Sequence, residues 1–374
     1  DARDRLRKSW LHRGATEAEL GWIDSVLDPD VLTIGFARRV PSYKRLTLML
    51  RDPERLRALL LHPTNPIQLI VAGKSHPADD GGKRLIQQLV QFADDPRVRH
   101  RIVFLPNYDI GMATRLYPGC DVWLNNPIRP LEASGTSGMK AALNGALNLS
   151  IMDGWWDEWY DGQNGWAIPT ADGVHDEDRR DDLEASALYD LIENSVAATF
   201  YDRDEAGIPR RWIQQVRHTM QTLGPKVLAS RMVRDYVDKL YVPAANAAAK
   251  AHADNFSFGR ELSAWKLRVH EFWPQVAVEH VDVSIPGASP ALGSAIPIRA
   301  YVHLGNLHPE DVVVQVVFGR VNGDDSITEQ GTSDLVPAES YDSGRWRFDG
   351  LMDLDRTGAY GYTVRVLPSH EGLV

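Results

Sequence analysis

The chain has 374 residues, too many for one ordinary domain and enough for about two or three. Its 43% hydrophobic and 25% charged residues match an average globular protein and exclude a disordered chain, and no apolar run approaches the roughly 18 residues of a membrane helix. Acidic residues outnumber basic ones by 51 to 41, for a net charge of −10, which argues against nucleic acid as a partner but leaves room for a small basic pocket around one phosphate.

The opening stretch, Asp1 to Gly14, reads as helix without a starting Met. The chain is therefore expected to be a piece of a longer protein, with residues 1–30 a helical lead-in belonging to a missing N-terminal region. Short β-branched runs follow at 31–36, 67–72, 101–105 and 121–124, with further candidates near 147–152 and 165–169. Between them, 44–61 and 80–94 carry apolar residues at helical spacing. Short strands alternating with helices predict an α/β domain over 31–225, a Rossmann-like, doubly wound parallel sheet. Ligands of such sheets lie at the carboxyl ends of the strands. The acidic run 171–182 reads as a solvated loop leading into a helix at 183–201. Residues 211–241 read as helix broken at Gly224-Pro225, and 244–253 is Ala-rich and helix-prone, so 226–268 is expected to be a helical crossover. From 269 to 374, alternating and apolar runs separated by Gly, Pro, Asn and Asp predict an all-β, sandwich-like module. It shows no catalytic constellation, and a structural role is expected for it ahead of sugar binding through Trp346 and Tyr360. Cys120 is the only cysteine, so no intrachain disulfide can form. With no signal peptide at its start either, the chain is expected in the cytoplasm.

Two segments carry chemistry. Arg38, Arg39, Lys44 and Arg45 follow the first strand, where ligands bind. Clustered cations in an acidic protein suit an anion, and phosphate fits both Arg and Lys; a solvated basic turn is the other reading. In the second segment, small residues from Ala133 to Gly138 allow close backbone approach and run into a helix expected over Gly138 to Ala146. Its free N–H groups would favour an anion. Lys140, placed in the first turn of that helix, opposes the dipole. It is either balanced by a bound anion, or uncharged through a bond to an aldehyde cofactor, or simply a surface lysine in a Gly-rich cap.

The run Glu132-Ala133-Ser134-Gly135-Thr136-Ser137-Gly138-Met139-Lys140, followed by Leu143-Asn144-Gly145 and Asp153-Gly154, resembles the pyridoxal-phosphate motif EASGTxxMK of the α-glucan phosphorylases. Arg38-Arg39-Val40-Pro41-Ser42-Tyr43-Lys44-Arg45 is similar to that family's KRxxxYKR-like run, and Phe104-Leu105-Pro106-Asn107-Tyr108 to its FLxNY. The resemblance covers about residues 31–240. Three departures stand out: Arg38 in place of Lys, Ser137-Gly138 in place of Gly-Asn, and Asp109 where many members have Arg. The last would bring an acid near a phosphate cluster. With the DGWWDEW run, these features look like the bacterial and archaeal branch.

The resemblance implies the C-terminal half of a B-type glycosyltransferase fold and pyridoxal 5'-phosphate as cofactor, with no metal. Lys140 would hold the cofactor through its amine. Gly135, Thr136 and Ser137 would offer backbone donors to the cofactor's phosphate, with Arg38 and Tyr108 beside it. Arg39 and Lys44 would bind substrate phosphate, and Glu132, Ala133, Ser134, Gly135 and Tyr43 the glucose hydroxyls. The implied reaction is reversible phosphorolysis of terminal α-1,4-linked glucose, with retention. Its partners would be α-1,4-glucan (glycogen or maltodextrin), inorganic phosphate, glucose 1-phosphate and the rest of the same enzyme; a homo-oligomer is allowed. The chain alone is expected to turn over little. A nucleotide-sugar glucosyltransferase is the rival reading, but its E-x7-E motif would need a second acid where Lys140 stands. A non-catalytic glucan-binding fragment is the third.

Overall fold

The structure, a computed structural model, describes residues 1–39, 42–284, 291–323, 326–354 and 357–373. Val40 and Pro41 of the basic run lie outside the described residues. Six parallel strands form the first sheet: β1 (Leu32–Arg39), β2 (Ile67–Lys74), β3 (Ile102–Pro106), β4 (Val122–Asn125), β5 (Leu147–Ile151) and β6 (Gly165–Ile168). Their order is β3-β2-β1-β4-β5-β6. The order reverses between β1 and β4, which makes a switch point at the carboxyl ends of these two strands.

Alternation along the strands explains the two-sided packing. On β2, Leu69 and Val71 join a core with Ile34, Leu56, Leu188 and Tyr189, whereas Ile70 and Ala72 join another with Leu105, Met112, Leu116 and Trp123. A strand buried on both faces needs helices on both sides. They are α1 (Ala2–His12), α2 (Pro53–Leu60), α3 (Asp80–Ala93), α4 (Ile110–Leu116), α5 (Thr136–Leu143), α6 (Trp155–Trp159), α7 (Glu177–Leu191), α8 (Ala197–Tyr201) and α9 (Arg210–Val227). Asp52, Asp79, Asp109 and Asp176 begin α2, α3, α4 and α7, each accepting a backbone N–H of the first turn.

Three local expectations change. The acidic run is loop only to Asp176; from Glu177 its carboxylates form the first turns of α7, where the helix dipole favours them. The segment 44–61 is not one helix. Two short 3-10 turns precede α2, separated at Arg45, whose φ of +50 is not helical. Finally, α9 runs through Gly224-Pro225 and ends at Val227. Gly224 has no Cβ to clash with the proline ring, so the usual penalty before proline is reduced.

The chain divides into two compact units, Asp1–Asp235 and Tyr236–Val374, with α10 (Ala229–Tyr236) at the boundary. The second unit opens with a π-helical turn, Val237–Tyr241, that leads into α11 (Val242–Phe272), interrupted at Ala253–Phe256. Its strands are β7 (Ala277–Val283), β8 (Ala295–His303), β9 (Val312–Val321), β10 (Ile327–Tyr341), β11 (Arg345–Asp353) and β12 (Tyr360–Pro368). They make one antiparallel sheet in the order β12-β9-β10-β11-β8-β7. The all-β character is as expected, but the strands belong to one curled sheet. β10 pairs with β9 through Leu335 and with β11 from Val336 onward, and β12 approaches β7. Ile296, Ile298, Ala300, Val302, Val314, Val316 and Phe348 fill the inside.

Candidate active site

Charged and polar groups gather at the switch point. Arg38, near the end of β1, lies opposite Gly73 of β2, and its side chain is only 10% exposed. Its Nη2 donates to Asn125 Oδ1 at 2.6 Å, and Asn125 Nδ2 donates in turn to Ser150 Oγ at 3.1 Å. The guanidinium lies 4.7 Å from the Phe36 ring centroid, and its buried Nε has no hydrogen-bond partner. Burial draws Arg38 down to about 10, against the opposing influence of Tyr43, Tyr117 and Tyr108. It stays a cation at neutral pH.

Glu132, 8% exposed, faces this cation: its Oε2 is 3.9 Å from Arg38 Nη1 and in contact with Lys44 Nζ. Lys44 also lies 4.9 Å over the Tyr43 ring. Burial, and then Arg38, push the Lys44 ammonium below its ordinary value, while Asp153 resists. The adjoining Glu132 carboxylate also favours the charged amine. Asp153 fixes Glu132 from behind, accepting its backbone N–H at 2.9 Å through Oδ2 and the Gly154 N–H through Oδ1. Burial raises the Asp153 carboxyl.

After Glu132 the chain turns into α5. Gly135 is the N-cap with φ +83, a conformation natural to glycine. The Trp155 backbone N–H donates to the Ser134 carbonyl at 3.1 Å and its indole Nε1 to the Gly135 carbonyl at 3.0 Å. Gly138 is required by crowding: a Cβ there would lie 2.5 Å from Asn148 Oδ1 and 2.9 Å from Trp155. Ala133 and Thr136 are exposed, and Ser134 and Ser137 half-buried.

Toward the end of α5 lies a cavity of about 860 Å³. Arg39, Lys74, Tyr108, Tyr117, Lys140 and Asn144 line it, together with Asp109 and the start of α4. Tyr108 and Tyr117 share a hydroxyl hydrogen bond of 3.1 Å. The arrangement places an exposed lysine on a helix and a basic strand end around one cavity, while Arg38, next in sequence to Arg39, belongs to a buried cation–carboxylate cluster.

Comparison with known proteins identifies relatives of the chain. The family description "Carbohydrate phosphorylase" matches residues 24–158 and "Glycogen phosphorylase C-terminal domain" matches 273–374. Over 99% of its length the chain is 62% identical to a glycogen phosphorylase of Mycobacterium tuberculosis. Over 93% it is 38% identical to the maltodextrin phosphorylase of Thermococcus litoralis, and over 64% it is 46% identical to the glycogen phosphorylase of Aquifex aeolicus. The chain belongs to the α-glucan phosphorylase family. It spans 43% of the mycobacterial relative's length, 40% of the Thermococcus one and 34% of the Aquifex one.

In this phosphorylase-family chain the motif residues fall into groups. Arg38, Lys44, Tyr43 and Glu132 share the buried cluster; Arg39, Tyr108 and Lys140 share the cavity; Ala133 to Ser137 form the turn that opens α5. Arg45 departs from the other cations. It is buried, donating to the Asn126 and Pro127 carbonyls and pairing with Asp181 and Glu184, so it braces the loop after β4 rather than facing a ligand. Asp109 does not oppose the cations through its Oδ1, which accepts the Met112 N–H at 2.7 Å as the cap of α4. The dipole argument for Lys140 also fails: α5 begins at Thr136, so Lys140 sits in its last turn, where a cation is favoured. Sequence reasoning missed Asn125, Ser150, Trp155, Lys74 and Tyr117. Asn125, close before the motif, and Trp155, in the DGWWDEW run, lay beside segments already singled out; Lys74, Tyr117 and Ser150 carried no local signal. Among the described residues no group of His, Cys, Asp and Glu could hold a metal ion, and no helix is long and apolar enough to cross a membrane.

Proposed function

We propose that this chain is the cofactor- and phosphate-binding part of a pyridoxal-phosphate-dependent α-glucan phosphorylase, catalysing reversible phosphorolysis of terminal α-1,4-linked glucose to α-glucose 1-phosphate with retention. The observation that carries the reading is the shared cavity of Lys140, Arg39 and Tyr108 beside the Arg38–Glu132–Lys44 cluster. In this reading the doubly wound sheet is the C-terminal half of a B-type glycosyltransferase fold, and residues 1–30 and 226–268 join it to the remainder of the enzyme. The working enzyme includes that remainder, so the chain alone is expected to release little glucose 1-phosphate.

The residues present fit pyridoxal phosphate. The cavity has room for its ring beside the Lys140 amine, and the Arg38 Nε is a buried donor without a partner. Lys140 would hold the cofactor by its amine, while the backbone of Gly135, Thr136 and Ser137, with Arg38 and Tyr108, would hold its phosphate. When bound, that phosphate supplies a proton donor and acceptor whose second pKa near 6 suits exchange at neutral pH. Arg39 and Lys44 would hold the substrate phosphate against the anomeric carbon, where an anion stabilises an oxocarbenium-like transition state. Glu132, anchored by Asp153, would orient the glucose with Ala133, Ser134, Gly135 and Tyr43. Borohydride reduction after incubation of the full-length enzyme with pyridoxal phosphate, followed by peptide mass mapping, tests the assignment. A single adduct on Lys140 is expected; labelling scattered over surface lysines with Lys140 unmodified would refute it.

A further inference from the structure

We infer that Lys74 is a further anion-binding residue of this site, acting with Arg39 across the ends of β1 and β2 to hold a phosphate dianion. The inference rests on the phosphorylase reading and extends it to a residue outside every motif. Arg39 and Lys74 are the last pair of the parallel β1–β2 ladder. Partners in such a ladder stand about 5 Å apart with side chains on the same face. Both residues are exposed, and both line the cavity with Lys140.

Two cations placed opposite each other repel unless something neutralises them. Carboxylates are plentiful in this chain, and other arginines have found them: Arg51 pairs with Asp178 and Asp182, and Arg55 with Asp190 and Glu193. Among the described residues, no carboxylate pairs with Arg39, Lys74 or Lys140. The one acid on the cavity wall, Asp109, commits its Oδ1 to the α4 backbone. The cavity therefore carries an unbalanced positive charge at the carboxyl ends of the strands, where ligands of doubly wound sheets bind. An arginine fork beside a lysine point charge suits a phosphate that is doubly charged at neutral pH. Two sources share that chemistry, the inorganic phosphate of the reaction and the phosphate of the cofactor.

The test uses the full-length enzyme and its Lys74→Met and Lys74→Arg variants; Lys74 is exposed, so neither substitution disturbs a core. If Lys74 holds substrate phosphate, Lys74→Met raises KM for inorganic phosphate about tenfold, with kcat and the glucan KM within about twofold, and Lys74→Arg restores most of the loss. A rise in the pyridoxal-phosphate dissociation constant with unchanged phosphate KM assigns Lys74 to the cofactor's phosphate. If neither constant moves, the inference is overturned. Calorimetric titrations with inorganic phosphate and with pyridoxal phosphate read the same contact without turnover. An unmutated enzyme that binds phosphate but releases no glucose 1-phosphate would sink the phosphorylase reading, while the titrations still decide Lys74.

Discussion

Replacing Gly138 by alanine opposes two effects whose sizes the structure sets. Gly138 lies in the first turn of α5, where alanine ordinarily gains about 1 kcal/mol over glycine. The new Cβ, however, would lie 2.5 Å from Asn148 Oδ1 and 2.9 Å from Trp155 Cζ2, and both neighbours are buried. Forcing a methyl group into a filled site costs about 1–3 kcal/mol. If the indole moves, the Gly135 carbonyl loses its donor; if the amide moves, the Gly138 carbonyl does. Either loss adds about 1–3 kcal/mol in a buried setting. The net expectation is a destabilisation of about 3 kcal/mol. Gly81 provides the control. It is exposed in the first turn of α3, and the nearest atom to an added Cβ is Asp79 Oδ1 at 3.4 Å, so Gly81→Ala should gain about 0.4–1 kcal/mol. Urea titration read by pulsed hydrogen exchange follows the Asp1–Asp235 unit through its own peptides. Gly138→Ala stabilising the protein in step with Gly81→Ala would refute the packing argument.

Other consequences follow from the same contacts. Arg45→Met would leave Glu184 buried without its cation and strip two loop carbonyls of donors, costing about 3–5 kcal/mol in urea unfolding; Arg45→Lys should recover little, since a lysine cannot reproduce the fork. In the second unit, burial alone would raise the Asp311 carboxyl, but Arg268 and the His308 N–H outweigh it and hold it below its ordinary value. Its contribution is therefore complete above the unfolded value of about 3.9 and is lost as pH falls through the lower folded value. Asp311→Asn should flatten that acid limb of the stability curve, and an unchanged limb would contradict the pairing. Glu132→Gln removes the carboxylate between Lys44 and Arg38; under the proposed function it should lower kcat/KM for glucan about 100-fold in initial-rate assays, with phosphate KM less affected.

The first sheet was legible because fully buried parallel strands leave short β-branched runs that no neighbouring segment imitates. The ends were less so. β1 continues to Arg39, beyond the apolar run, because its last residues pair with β2 up to Lys74, and ladder partners leave no trace in local hydrophobicity. β10 leaves a weak local pattern for a similar reason: Gly331 and Pro337 interrupt it and its residues are largely polar, yet β9 and β11 pair with it in turn. The motif at 132–140 was legible because a turn and the helix it opens are contiguous in sequence. The basic run shows the limit of that logic. Arg38, Arg39, Lys44 and Arg45 look equivalent in sequence, but strand alternation sends Arg38 into the buried cluster and Arg39 to the cavity, while a positive φ accompanies the turn of Arg45 toward Asp181 and Glu184, more than a hundred residues away. Adjacent charge therefore predicts that an anion site exists near a strand end, but not which cations form it. Backbone direction decides membership, and so Lys74, from another strand, joins the cavity that Arg45 never reaches.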